Sequence, residues 1–153
     1  MKENSQSLSC VMIPVCDRQL LLPNVSIAEV VDFSSTAADA NAPEWLAGFL
    51  DWRGLKLPVI SYDAANGGSL TLPGANRGRI IVLNTIGSGH QQAAFMALII
   101  QGIPSQIRLE EEQIRQLDGA TGPADLMQIE VDGETAWIPN LEYLESLALE
   151  AKP

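Results

Sequence analysis

At 153 residues with 46% apolar side chains, the chain is long enough to bury a core without disulfides or metals, and disorder over its whole length is excluded. Its net charge of −10, from 19 acidic and 9 basic residues with both halves acidic, repels phosphate backbones and anionic lipid surfaces, so nucleic acid is not an expected partner. Met1 to Ser9 is polar and lacks the apolar core of a signal peptide, and the longest apolar run, Ala93 to Ile100, is too short to cross a bilayer. The expectation is a cytoplasmic protein with no membrane insertion.

Along the chain, Ser9 to Phe33 carries the apolar stretches Val11–Val15, Leu20–Leu22 and Val25–Val31, divided by Asp17-Arg18 and Pro23-Asn24. Those dividers are turn chemistry, so the segment predicts a meander of short strands. Ser34 to Pro43 is small and polar and reads as an exposed loop. Pro43 to Leu46 predicts one helical turn, with proline near its start and Glu44 at the positive end of the dipole, stopped by Gly48. Phe49 to Tyr62 returns to strand, broken by a tight turn at Arg53-Gly54, and Asn66 to Asn76 is a second loop.

Arg79 to Thr85 contains four successive apolar residues, Ile80 to Leu83, which predicts a strand covered on both faces. Gly87 to His90 makes a turn and Gln91 to Ile100 the return strand. Leu109 to Leu117 predicts a short helix opened by Glu110, Glu111 and Glu112. Met127, Ile129 and Val131 alternate along a strand, Asp132-Gly133 is a strong hairpin signal, and Thr135 to Ile138 pairs back. Asn140 caps a last helix with Leu141, Leu144 and Leu147 at helical spacing. Many short strands with turn punctuation make a mainly β fold, of barrels rather than a parallel sheet.

Catalytic chemistry finds little to work with. The one histidine, His90, lies in a Gly-Ser-Gly-His turn with only Ser88 nearby and no orienting carboxylate, and reads as a solvated turn residue. Cys10, Cys16 and His90 lack metal-ligand spacing, and Gly87-Ser88-Gly89 lacks the lysine of a phosphate loop. The two cysteines read as buried thiols. No enzyme, metal or cofactor is expected.

A stronger signal is Pro43-Glu44-Trp45-Leu46-Ala47-Gly48-Phe49-Leu50-Asp51-Trp52-Arg53-Gly54-Leu55-Lys56-Leu57-Pro58-Val59-Ile60-Ser61-Tyr62-Asp63. It resembles the signature of the CheW-like coupling proteins of chemotaxis: a proline and a glycine before an apolar pair, then Asn-Leu-Arg-Gly, then an apolar-Pro-apolar strand ending near Asp. The spacing agrees from Gly48 through Pro58. Val25 to Val30 is similar to that family's Val-x-Glu-Ile strand, Ile80 to Asn84 to its apolar strand ending in Leu-Asn, and Ala97 to Ile103 to its Gly-Ile-Val-Val-Asp-Gly-Val stretch. Glu112 to Arg115 and Ile138 to Leu144 continue the likeness, which spans about Ser9 to Leu147. Asp51-Trp52 departs from Asn-Leu, Gln101 from Asp and Ala97 from Gly, as in a divergent branch such as the coupling proteins of pilus-driven, twitching motility systems.

The resemblance implies two small five-stranded SH3-like β-barrels packed over an apolar seam, with short helices including a C-terminal one. Residues 9–149 would form a single domain of two intertwined barrels, and residues 1–8 a flexible N-terminus. It also implies a non-catalytic adaptor: one barrel contacts the regulatory domain of a CheA-type histidine kinase, and the groove between barrels receives the tip of a methyl-accepting chemoreceptor. Such a protein is recruited to membrane-associated receptor arrays.

The partner-binding set drawn from these stretches is Ile27, Glu29, Trp45, Gly48, Arg53 and Gly102. Alternation places Val25, Ile27 and Glu29 on one strand face, with the glutamate ending an apolar stripe, as at an interface rim. Arg53 shares a face with Phe49 and Asp51 and either meets a partner or pairs locally with Asp51. Trp52 and Trp137 are expected in barrel cores, and Trp45, beside a loop, as an exposed anchor. Gly48 is also explained as a backbone requirement at a turn. The competing readings are a small-molecule sensor or enzyme with a pocket between the barrels, and the regulatory tail of a kinase.

Overall fold

The computed structural model describes residues 7–16, 18–32, 42–69, 78–85 and 94–151. They form eleven strands, β1 (Ser7–Pro14), β2 (Gln19–Pro23), β3 (Ile27–Asp32), β4 (Leu46–Trp52), β5 (Leu55–Ile60), β6 (Arg79–Asn84), β7 (Phe95–Ile100), β8 (Ser105–Glu110), β9 (Ile114–Leu117), β10 (Asp125–Val131) and β11 (Glu134–Pro139). Two helices complete them, α1 (Tyr62–Ala65) after β5 and α2 (Leu141–Glu150) at the C-terminal end.

The strands make two sheets. One has six strands in the order β8-β1-β2-β11-β10-β9, the other five in the order β3-β6-β7-β5-β4. The chain starts the first sheet with β1 and β2, leaves it to build the whole of the second, and returns with β8 to β11. That path intertwines the two units. The outer strands of the larger sheet, β8 and β9, are joined by the single 3₁₀ turn Glu111–Gln113, so the sheet curls on itself. The count of six rather than five arises because this turn splits one run in two.

The expected helix over Leu109 to Leu117 is therefore replaced by strand, turn and strand. Ile107 and Leu109, two residues apart on β8, and Ile114 on β9 all face the same apolar cluster, a period that suits a pleated ladder better than a helix. Similarly, Pro43 to Leu46 closes a single turn, with the Leu46 N–H donating to the Pro43 carbonyl at 3.0 Å, and strand begins at Leu46. Gly48 does not stop a helix; it lies within β4. Ser7 and Leu8, read as part of a flexible terminus, pair with Glu110 and Leu109. The turn containing His90 lies outside the described residues.

Alternation divides the apolar residues among three regions. Cys10, Met12 and Leu21 point into the six-stranded barrel with Ile129, Val131 and Ala136. Val59, Ile80, Ala97 and Ile99 line one part of the five-stranded barrel, and Trp52, Leu57 and Val82 another. The intervening positions form the seam: Val11, Ile13, Leu20 and Leu22 from one sheet meet Ile81, Leu83, Met96, Leu98 and Ile100 from the other. This is why Ile80 to Leu83 read as covered on both faces, and all four are fully buried.

Helix α2 adds Leu141, Leu144, Leu147 and Ala148 to the same seam. Asn140 caps it as expected, accepting from the Tyr143 N–H at 3.1 Å. Each fully buried aliphatic side chain contributes about 2 kcal/mol by removal from water, so the seam holds much of the molecule's stability. Cys10 is buried, and burial pushes its thiol pKa up. Cys16, expected to be buried, is exposed beyond the end of β1.

Candidate protein-interaction site

The β4–β5 hairpin turns through Arg53 and Gly54, both in the left-handed region at φ 51° and 81°, with Trp52 paired directly to Leu55. Two positive φ values in a two-residue loop define a type I′ turn, whose twist matches that of the flanking strands. Asp132 and Gly133, at φ 50° and 86°, make the same turn between β10 and β11. Aspartate tolerates that conformation better than most side chains, whereas an arginine there costs about 1 kcal/mol. The chain keeps an arginine regardless, so its side chain is the part to follow.

Arg53 does not pair with Asp51. Its Nη2 donates to Glu29 Oε1 at 3.1 Å, and its guanidinium lies over the Trp52 ring, 4.5 Å from the centroid. The same carboxylate oxygen accepts from Trp52 Nε1 at 2.9 Å. Glu29 is on β3 and Trp52 on β4, the two outer strands of the five-stranded sheet. These side-chain bonds therefore join its free edges. Trp52 itself is buried, as expected, and meets Phe95 edge-on with centroids 4.9 Å apart. Its indole N–H, rather than its bulk, is what the sequence reading missed.

Glu29 reaches this position because β3 is not a regular strand. The register shifts between Ile27, opposite Leu83, and Glu29, opposite Val82, which marks a β-bulge around Ala28. Val25 belongs to a 3₁₀ turn, Asn24–Ser26, and is exposed. The expected common face of Val25, Ile27 and Glu29 is thus broken. Ile27 packs on the seam, Ala28 into the five-stranded barrel, and Glu29 over its edge.

The remaining residues of the set scatter. Trp45 is half-buried against the seam rather than an exposed anchor, and its carbonyl accepts from the Ser61 N–H at 2.8 Å. Gly48 is buried at a register shift in β4, with φ 139°, a backbone few side chains adopt. Gly102 lies at the crossover from β7 to β8, where an added Cβ would sit 3.4 Å from Pro14 Cγ. Pairing of β3, β6 and β7 puts Ile27 at the Asn84 end of the sheet and Gly102 past the Ile100 end. The structure joins Glu29 to Arg53, while Ile27 and Trp45 pack on the seam and Gly48 and Gly102 sit at a register shift and a crossover.

At the surface, the side chains of Glu29 and Arg53 are 40% and 68% exposed, and Leu55 is 46% exposed beside the turn. A charge pair next to an apolar side chain suits a polar-rimmed contact surface. The pair is too exposed to stabilise the fold by more than about 1 kcal/mol. Among the described residues, no three His, Cys, Asp or Glu side chains come together as metal ligands, and no helix is long and apolar enough to cross a membrane.

The fold and this site define a class: paired SH3-like barrels built from one intertwined chain, with a turn arginine and a strand glutamate held at the surface. The CheW-like domain family matches residues 9–147, and the chain belongs to that family. The fold is similar to that of the scaffolding protein TtCheW from Thermoanaerobacter tengcongensis, with a TM-score of 0.72 at 21% identity, over 89% of this chain and 90% of that one. Comparison with curated proteins gives no match.

Proposed function

We propose that this protein is a non-catalytic cytoplasmic scaffold that couples methyl-accepting chemoreceptors to a CheA-type histidine kinase, with residues 9–149 acting as one unit. Membership of the CheW-like family and the likeness to a protein described as a scaffold support the coupling role. The observation that carries the reading is the Glu29–Arg53 pair, in which Arg53 stands on a strained turn in the segment that resembles the family's motif and Glu29 reaches it from β3. Strain of that kind persists where a side chain is used. Trp52, standing where the family has leucine, adds a donor to Glu29 that leucine lacks, which suits a branch with its own partner preference.

The experiment is a titration of the folded protein against kinase regulatory domains and receptor-tip fragments. Saturable binding to one of each, and a ternary complex when both are present, is the expected result. Binding to neither, by protein shown to be folded, would overturn the proposal.

A further inference from the structure

Among the described residues, Asp125 is the centre of a buried charged constellation in the seam. Asp125, at the start of β10, has a side chain with no exposed surface, and its two oxygens take four donors. Arg18 Nη1 lies at 2.7 Å, Tyr62 Oη at 2.6 Å, Asn66 Nδ2 at 2.9 Å and the Gly122 N–H at 2.9 Å. Asn66 also accepts from the Ala124 N–H at 2.8 Å, so the segment before β10 is bound to α1 at several points.

These donors come from both barrels. Arg18 precedes β2 and Gly122 precedes β10, both of the six-stranded sheet, whereas Tyr62 and Asn66 belong to α1 and its C-terminal cap, directly after β5 of the five-stranded sheet. Arg18 is held in addition over the Trp137 ring, 4.2 Å from its centroid. The fit is close: a Cβ on Gly122 would fall 2.4 Å from Asn66 Oδ1. Apolar packing elsewhere in the seam favours contact but not one direction of contact. A carboxylate with every lone pair committed is satisfied in a single geometry and is costly in any other.

We propose that Asp125, Tyr62 and Asn66 are positioning residues whose clamp fixes the angle between the two barrels, and that this angle sets affinity for any partner that touches both barrels at once. The second half rests on the scaffold reading: the receptor tip would span both barrels, and the kinase regulatory domain would touch one. A partner of one barrel is indifferent to the angle.

The test uses the full chain carrying Cys16→Ser, with spin labels at Gln116→Cys on the six-stranded barrel and Lys56→Cys on the five-stranded one. The unaltered clamp gives a single narrow distance distribution. Asp125→Ala and Tyr62→Phe broaden or shift it while circular dichroism still reports folded barrels. Tyr62→Phe keeps the ring in the core and removes only the hydroxyl, which faces Asp125 Oδ1 and the Ala124 carbonyl, so it carries the test if Asp125→Ala does not fold. An unchanged distribution in a folded variant overturns the proposal. Unfolding of Tyr62→Phe as well overturns it too, since the clamp would then support the barrels and not their angle.

In the binding arm, Tyr62→Phe weakens the receptor-tip fragment about tenfold and leaves the kinase domain unchanged. Equal weakening of both contradicts the positioning role. If the parent protein binds neither fragment, it is the scaffold reading that fails, and the distance measurement still decides the clamp.

Discussion

Trp52 Nε1 donates to Glu29 Oε1 at 2.9 Å across 23 residues of chain, and this bond ties β4 to β3, strands that share no ladder. The donor belongs to a buried ring and the acceptor to a half-exposed carboxylate. Replacing Trp52 by Phe keeps an aromatic ring for Phe95 and Arg53 but removes the N–H. The expected loss is about 1 kcal/mol, near the lower end for a hydrogen bond to a charged group because water reaches the acceptor. Trp52→Leu removes the ring as well and is expected to lose about 3 kcal/mol. Urea unfolding of both variants measures the difference, and unchanged stability in Trp52→Phe would mean that the hydrogen bond contributes nothing.

Arg53 occupies a backbone conformation that asparagine adopts readily. Arg53→Asn relieves about 1 kcal/mol of strain and gives up an exposed ion pair worth about the same or less. Stability is expected to stay level or rise slightly, although a side chain has been truncated. A loss above about 2 kcal/mol in thermal or urea unfolding would show that Arg53 supports the fold.

Asp125 makes acid stability a readout of the clamp. Burial alone would push its carboxyl up, but the bonds from Tyr62, Gly122, Asn66 and Arg18 outweigh that and hold its pKa below the ordinary 3.8. A depressed folded-state pKa adds stability that is complete above the ordinary carboxylate range and is lost as pH falls through the folded value. Asp125→Asn is expected to cost about 2 kcal/mol near neutrality and to flatten the decline below about pH 4. Unfolding free energies measured across that range check the sign; an identical pH profile in the variant would contradict it.

Gly122→Ala tests the same junction by shape instead of charge. The added methyl meets Asn66 Oδ1 at 2.4 Å and the Asn66 carbonyl at 3.3 Å, and Asn66 is held in place by Ala124 and Asp125. Overpacking at such a site costs about 1–3 kcal/mol. Thermal unfolding at matched pH gives the number.

The thiols offer a direct check on the packing. Cys16 is exposed and Cys10 is buried with a raised pKa. A thiol reagent is expected to label Cys16 quickly in the native protein and Cys10 only on unfolding. Rapid labelling of both would contradict the placement of Cys10 inside the six-stranded barrel.

Local chemistry made much of the fold legible. Arg53-Gly54 and Asp132-Gly133 announced hairpins, Asn140 announced α2, and the unbroken run Ile80 to Leu83 announced a strand between two cores. Reading failed where two periods compete. From Leu109 to Leu117 the acidic triplet favoured a helix start, yet cross-strand pairing of β8 with β1 and β9 with β10 prevailed. It failed again at the Ala28 bulge, because one inserted residue shifts every later side chain and leaves no mark in composition.

Glu29 and Arg53 were identified separately through their motifs, but not as partners. Their meeting depends on the curvature that brings β3 to β4, which sequence does not display. Trp45 and Cys16 were misplaced for a related reason: a residue beside a turn faces core or solvent according to which element folds back over it. The Asp125 clamp was invisible, since Arg18, the α1 pair Tyr62 and Asn66, and Gly122 converge from three separate segments.

The measurement that bears most directly on the scaffold account is charge reversal at Glu29, with binding and melting followed side by side. Glu29→Lys places a second cation against Arg53 and disrupts the surface that both present. Affinity for a receptor-tip or kinase-domain fragment is predicted to fall at least tenfold, about 1.4 kcal/mol, with a loss of folding stability no larger than about 2 kcal/mol, since the bonds from both Trp52 and Arg53 go with the carboxylate. Unchanged affinity for every fragment that the parent protein binds would contradict the account, and so would a loss of binding that only tracks unfolding.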